Sequence, residues 1–287
     1  MKKGILYAAI TAALFVTLEP VSKLIAESVT PYAITFWRFF LGAFMLVPPA
    51  LIKMKKEKIR ITAKELGFMT ALGILFVCVS MILIQIAIKE GEAPSLIAIT
   101  FSSNSIFTIM FAVLLIKDER LTKNKIIALI VGVIGVLACA DFGEKTNLRP
   151  IVFAVLSAIS FSLYTVLSRK YMGRLGGIIQ SAGAFLSGSI ILLIILLIQG
   201  VNVAPSFAGN DLLILLYLAL VTGVGYACYF MAMDRGGAIM ASLAFFIKPV
   251  LTPFVTLVIN GIAPDIKVFF AVACIVAASY FAVYKKT

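Results

Sequence analysis

Ten windows of roughly twenty mostly apolar residues follow one another along this chain, at about 4–26, 31–52, 66–88, 94–116, 123–141, 149–169, 176–199, 211–233, 237–260 and 265–284. A helix needs about 20 such residues to cross a bilayer core about 30 Å thick, where backbone must satisfy its own hydrogen bonds. The sequence therefore predicts an all-α integral membrane protein of ten transmembrane helices. Little chain lies between the windows, so function has to sit inside the helical bundle. Composition agrees: 62% of residues are hydrophobic and 13% charged, against about 45–50% and about 25% in soluble domains.

The net charge of +12 would suggest a nucleic-acid partner in a soluble protein. Its placement argues otherwise. With ten spans and Met1 in the cytoplasm, eighteen of the 25 lysines and arginines fall in segments on the inner side and four on the outer side. Lys23, Arg38 and Lys248 remain within spans. Cationic loops resist translocation, so both termini are expected in the cytoplasm, with the chain a multi-pass protein of the cell (inner or plasma) membrane. The basic run "KMKKEKIRITAKE" (53–65) has a second reading as a lipid-headgroup or partner site, but topology alone accounts for it. The N-terminal "MKKGILYAAITAALF" has the charge and apolar run of a signal peptide. No small-residue cleavage site follows, so it reads as the first transmembrane helix. Cys78, Cys139, Cys228 and Cys274 lie within spans without paired spacing, as small packing residues. The sequence has no histidine, which removes imidazole bases and the commonest metal ligand.

Shifted by about 145 residues, the sequence answers itself. "AIKEGEA" (87–93) lies over "AMDRGGA" (232–238). In "ALFVTLEPVSK" (13–23) over "ISFSLYTVLSR" (159–169), Phe15 meets Phe161, Ser22 meets Ser168 and Lys23 meets Arg169. The expected organisation is two five-helix repeats, 1–145 and 146–287. An odd number of spans per repeat inverts one copy relative to the other (5+5), an arrangement that places transporter sites near the midplane where the repeats meet.

Further features carry a family resemblance: "RF" at Arg38–Phe39 opening the second span, the lysine closing the first in "VSK", and Glu119 in "IKDERLTKNK" after the fourth. "FFIKPVLTPF" adds a proline-containing ninth span. With the 5+5 layout, the chain resembles the EamA-like branch of the drug/metabolite transporter superfamily over nearly its whole length. Glu119 has no counterpart in the second copy, which reads "INGIAPD" (259–265). The resemblance implies a secondary transporter: an exporter of amino acids or similar small metabolites, or of drugs and quaternary amines, or a facilitative uniporter or exchanger.

Ionisable groups in mid-bilayer are expensive and by default face a cavity. Lys248 lies near the middle of the ninth window, too deep to reach water by snorkelling across about 15 Å of hydrocarbon. Repeat alignment pairs it with Ser103 in "TFSSNS" (100–105), making Lys248, Ser102, Ser103 and Asn104 candidate substrate ligands. Pro249 and Pro253 are expected to interrupt the helix and free carbonyls beside Lys248, with a plain kink as the other reading. Glu19 also has two readings: an i,i+4 partner of Lys23, or the proton-coupling or ammonium-binding carboxylate of the cavity. Asp141, Asp234 and Glu27 sit at span ends. Arg38, beside Trp37, reads first as an interfacial anchor and second as part of a gate. Gln85, Ser160, Ser162, Tyr164, Tyr226 and Tyr229 complete the candidate wall, although tyrosines in a bundle also simply pack. "GVIGV" (132–136) and "GVG" (223–225) are expected at close helix contacts.

One cation, one anion and several neutral groups suit a zwitterion, its carboxylate on Lys248 and its ammonium on Glu19. An intramembrane enzyme would need a nucleophile with a base, or a metal cluster, and the residues for either are missing. A channel remains the other alternative. The partners expected are a small-molecule solute and the lipid bilayer, with no cofactor and no nucleic acid; pairing into a homodimer is left open.

Overall fold

A computed structural model describes residues 2–116, 122–139, 147–171, 175–203, 209–242 and 244–283. Among these residues there are helices and no strands. In chain order they are α1 (Lys2–Phe15), α2 (Leu18–Leu24), α3 (Pro31–Glu57), α4 (Ala63–Gly73), a π-helical segment (Ile74–Ser80), α5 (Met81–Glu90), α6 (Pro94–Ser102), α7 (Asn104–Leu115), α8 (Lys123–Cys139), α9 (Arg149–Tyr171), α10 (Gly176–Ile198), α11 (Asp211–Ser242), α12 (Ala244–Asn260) and α13 (Ile266–Val283). Among the described residues, seven helical stretches are long and apolar enough to cross a membrane, from Lys3–Leu24 to Asp211–Arg235. The apolar helices Ile126–Gly135, Ile247–Asn260 and Ile266–Ala278 are shorter. Glu119 and Asp141 lie outside the described residues.

Local chemistry sets the helix ends. Thr30 accepts a hydrogen bond from Ala33 N with Pro31 in the first helical position, and Thr62 and Glu65 form a reciprocal capping box. Both devices satisfy amides that a helix start leaves open. The bundle is apolar outside and polar inside. Ile198, Val258 and Ile266 are among its most exposed side chains, whereas Ser22, Thr100, Ser162 and Thr222 are fully buried. Lipid tails favour that inversion, and buried hydroxyls hold helices together where water is absent. The chain is a multi-pass membrane protein.

Several windows are not single α-helices. The first breaks at residues 16–17, where Pro20 has no amide to bond the carbonyl of Val16. The third passes through the π-helical segment, and the fourth breaks at Ser103. The sequence reading ended the eighth window at 233, but helical backbone continues to Ser242. Pro249 and Pro253 do not interrupt α12, which runs through both. The proline-lined side faces the bundle with Phe245, Lys248, Thr252 and Thr256, and the Thr252 hydroxyl donates to the Lys248 carbonyl at 2.7 Å. Protein, not lipid, surrounds the carbonyls that the prolines leave without amide partners.

The offset in the sequence returns in the packing. α3 packs on α10, α6 on α12 and α8 on α13, each helix against its own counterpart at that offset. α1 packs on α11 as α9 packs on the π-helical segment and α5, and α3 packs on α11 as α10 packs on α4. Single contacts repeat too. Ser157 and Ser80 exchange hydroxyl-to-carbonyl hydrogen bonds at 2.7 and 2.9 Å. At the corresponding positions, the Thr11 hydroxyl donates to Gly225 O at 3.2 Å. Gly188 lies against Gly73, and Gly42 lies against Ala219 and Gly223 in the same relation.

The glycines expected at close contacts are found there. A Cβ on Gly223 would stand 2.8 Å from Met45 Sδ, one on Gly225 2.4 Å from Phe15 Cε1, and one on Gly135 2.7 Å from Cys274 Cβ. The tightest backbone approach joins α4 to α10: a Cβ on Gly73 would stand 2.3 Å from the Ala184 carbonyl oxygen. Gly67, on the same helix, has nothing within 4 Å. Gly73→Val is therefore expected to destabilise the bundle by about 1–3 kcal/mol through overpacking. Gly67→Ala should raise stability by up to about 1 kcal/mol through helix propensity. Thermal unfolding of the two variants in one detergent checks this; equal melting points would contradict the close α4–α10 approach.

Candidate functional site

Lys248 and Glu19 meet inside the bundle. Lys248 Nζ donates to Glu19 Oε1 at 2.5 Å, and the residues are 1% and 3% exposed. Lys248 therefore does not snorkel. α2 brings Glu19 from the first half of the chain, in its first turn directly after the break in the first span. α12 brings Lys248 from the second half, on its buried, proline-lined side. Glu19 Oε2 is buried and has no hydrogen-bond partner among the described residues. The Lys248 ammonium also stands 5.4 Å from the centre of the Phe101 ring, close enough for a cation–π contribution.

Glu19 does not pair with Lys23, although the two are i,i+4 neighbours. Lys23 Nζ instead donates to the carbonyls of Lys89 at 3.0 Å and Gly91 at 2.8 Å, capping the end of α5. A cation at a helix C-terminus satisfies carbonyls the helix leaves open and complements its dipole. Asn260 Nδ2 similarly donates to Pro20 O at 3.1 Å, tying α12 to α2.

Arg38 is not an interfacial anchor. Its side chain points into the bundle, 2% exposed, and Nε donates to Thr222 Oγ1 on α11 at 2.9 Å. Beside it, Trp37 Nε1 donates to the Val203 carbonyl at 2.8 Å. Helical phase separates these neighbours, since successive residues are about 100° apart at 3.6 residues per turn.

Glu19, Arg38 and Lys248 are the charged residues lining one small internal cavity, together with Tyr226 and apolar side chains from α1, α5, α6 and α12. Its free volume is about 20 Å³, room for roughly one water. A larger cavity of about 500 Å³ lies where the end of α5, the starts of α6 and α9 and the 263–268 segment meet, and includes Glu90, Glu92, Asp265 and Lys267. Arg149 from α9 pairs with Glu90 at its margin, at 3.4 Å.

The other sequence candidates are distributed around this centre. Ser102, Ser103 and Asn104 are buried, but their side chains donate back to the Ala98, Thr100 and Phe101 carbonyls of α6 at 2.6–2.8 Å. They stabilise the break between α6 and α7 and do not line the cavity. Ser162 joins them, its hydroxyl donating to Asn104 O at 2.6 Å, while Ser160 donates to Leu156 O. Gln85 is buried with Oε1 lacking a partner among the described residues.

The tyrosines belong to a large aromatic cluster beside the cavity. Tyr164 stacks on Phe76 at 4.3 Å and 12°, Tyr226 lies 4.7 Å from Phe15, and Tyr229 lies 5.3 Å from Phe230. Thr222, Phe15 and Phe101 are contributors that the sequence reading did not single out. Phe15 was legible through its match with Phe161. Thr222 carried no local signal, because only the packing of α3 on α11 brings it to Arg38.

Removing one member of a buried ion pair strands the other charge, at about 3–5 kcal/mol, whereas replacing both with neutral groups is often tolerated. Lys248→Met alone should therefore depress the melting temperature strongly, and Glu19→Gln combined with Lys248→Met should recover most of the loss. Thermal unfolding of the single and double variants tests the coupling. Purely additive losses would mean that the two side chains do not pair in the folded protein.

Comparisons with known proteins agree with this architecture. The EamA-like transporter family matches residues 2–140 and again 148–284. An uncharacterized transporter from Clostridium kluyveri is 33% identical, covering 97% of this chain and 92% of the relative. A protein solved by crystallography has the same fold, with a TM-score of 0.71 at 18% identity over 99% of this chain and 97% of that one. Two family matches in tandem, a transporter relative over nearly the full length and a bundle whose halves pack in equivalent ways lead to one conclusion: the chain belongs to the EamA-like transporter family.

Proposed function

We propose that this transporter is a secondary carrier that moves amino acids or similar small zwitterionic metabolites by alternating access, most simply as an exporter. Two inverted five-helix repeats, residues 1–145 and 146–287, would open the cavity to one side of the cell membrane and then the other, with both termini cytoplasmic. The observation that carries this reading is the buried Lys248–Glu19 pair, one charge from each half of the chain, against an internal cavity. Inverted repeats characteristically hold their cargo at such a junction.

The pair explains how a zwitterion is accommodated. A cargo entering between the two side chains exchanges one ion pair for two: its carboxylate on Lys248 and its ammonium on Glu19. The desolvation already spent in burying the residues is then not repeated for the protein, and the cargo's own charges are met on arrival. Tyr226, Phe15 and Phe101 supply apolar and ring surface around the cargo. Protonation of Glu19 breaks its attraction for the ammonium, which gives a route for coupling export to a proton gradient.

Counterflow in proteoliposomes tests the reading. The wild-type protein preloaded with an unlabelled amino acid should show saturable, transient accumulation of the labelled one. Glu19→Gln, which removes the ammonium's partner, should weaken exchange and lose accumulation driven by an imposed proton gradient. Flux that rises linearly with concentration and shows no counterflow would point to a channel, and a Glu19→Gln protein that still concentrates its cargo would remove the coupling role.

A further inference from the structure

The charges in the cavity do not cancel. Glu19 contributes one negative charge, whereas Lys248 and Arg38 contribute one positive charge each. Glu19 Oε1 is committed to Lys248. Among the described residues no carboxylate forms an ion pair with Arg38, and its one hydrogen bond there is from Nε to the neutral Thr222 hydroxyl. A guanidinium has five N–H donors in a planar fork. The printed bond uses Nε, so among the described residues no hydrogen bond engages the four on its two Nη atoms, on a side chain that is 2% exposed and lines the cavity.

A buried cation with open donors needs an anion. The guanidinium fork matches a carboxylate in a bidentate manner, a geometry that lysine does not offer. A neutral zwitterion would satisfy Lys248 and Glu19 and leave Arg38 as it stands. We infer that the preferred cargo carries a net charge of −1, with a second anionic group that binds Arg38. An amino acid with an acidic side chain matches all three charges: its two carboxylates on Lys248 and Arg38, and its ammonium on Glu19. This inference rests on the carrier reading above and narrows it to acidic cargo.

The anion belongs to the cargo itself. Thr222 holds the Arg38 side chain within the same cavity as the ion pair, so one small molecule can reach all three groups once the cavity widens. The Phe39 ring, 5.3 Å from the guanidinium carbon, covers another side of Arg38 and limits its reorientation.

Isosteric acid and amide pairs isolate charge from shape. Binding of L-glutamate, L-glutamine, L-aspartate and L-asparagine to the wild-type protein is measured by thermal shift, followed by counterflow in chloride and in chloride-free gluconate buffer. At least one acid should bind about tenfold or more tightly than its amide, the difference expected from a single charge-assisted hydrogen bond. Arg38→Gln should abolish that preference, and Arg38→Lys should retain part of it. The wild-type comparison alone decides the matter if Arg38→Gln does not fold. Amides that bind as well as their acids in both pairs overturn the inference while leaving the carrier reading intact. So does a preference that survives Arg38→Gln, or an amide that equals its acid only when chloride is present. If none of the four compounds binds or exchanges, the amino-acid carrier reading falls as well.

Discussion

The burial of Lys248 against Glu19 is the interaction around which the bundle is arranged. Either ion alone in this interior would be strongly destabilising, and even as a pair the two forgo hydration that their mutual attraction only partly replaces. The irregular backbone gathers around this pair. The first span breaks just before Glu19, α5 follows the π-helical segment at Met81, α6 ends at Ser103 just past Phe101, and α12 carries two prolines next to Lys248. All four stretches line the cavity. Departures from regular helix are tolerated inside a membrane protein where other protein or an internal cavity meets the backbone, and π-helical turns frequently accompany functional sites.

Around this polar centre the packing is nearly two-fold while the chemistry is not. Phe39 and its counterpart Phe185 meet each other at 4.9 Å with rings 83° apart, an edge-to-face contact of the preferred kind. Phe15 and Phe161 are likewise related by the offset, and both lie against Phe245. Glu19, however, corresponds to Thr165, and Lys248 to the Ser102–Ser103 region, whose hydroxyls bond their own helix. Charge therefore occupies one of two equivalent places. Such a scaffold can offer two-fold motion while binding its cargo in one orientation.

Much of the architecture was legible because hydrocarbon imposes a simple rule on sequence. Apolar windows, the offset of about 145 and the singular Lys248 and Glu19 all follow from composition and spacing. The helix irregularities were not read from the sequence: the breaks before Glu19 and at Ser103 were not expected, and the π-helical segment "ILFVCVS" gives no local sign. Pro249 and Pro253 led to the opposite error, since a proline removes a hydrogen bond without fixing whether its neighbours carry the helix onward.

The sequence by itself determined that the chain spans a membrane, that its halves are related, and that a deep lysine and a deep carboxylate need partners. Hydrophobic periodicity and the price of an unpaired ion in lipid are enough for those conclusions. Only the tertiary structure decided who pairs with whom. Glu19 had Lys23 four residues away, yet it meets Lys248, 229 positions along the chain, while Lys23 caps α5. Arg38 and Trp37 are neighbours in sequence but turn in different directions, one towards Thr222 and the cavity, the other towards Val203. Sequence spacing fixes which residues share a helix face; which helix that face meets depends on packing between distant segments, and here that packing sets the charge of the site.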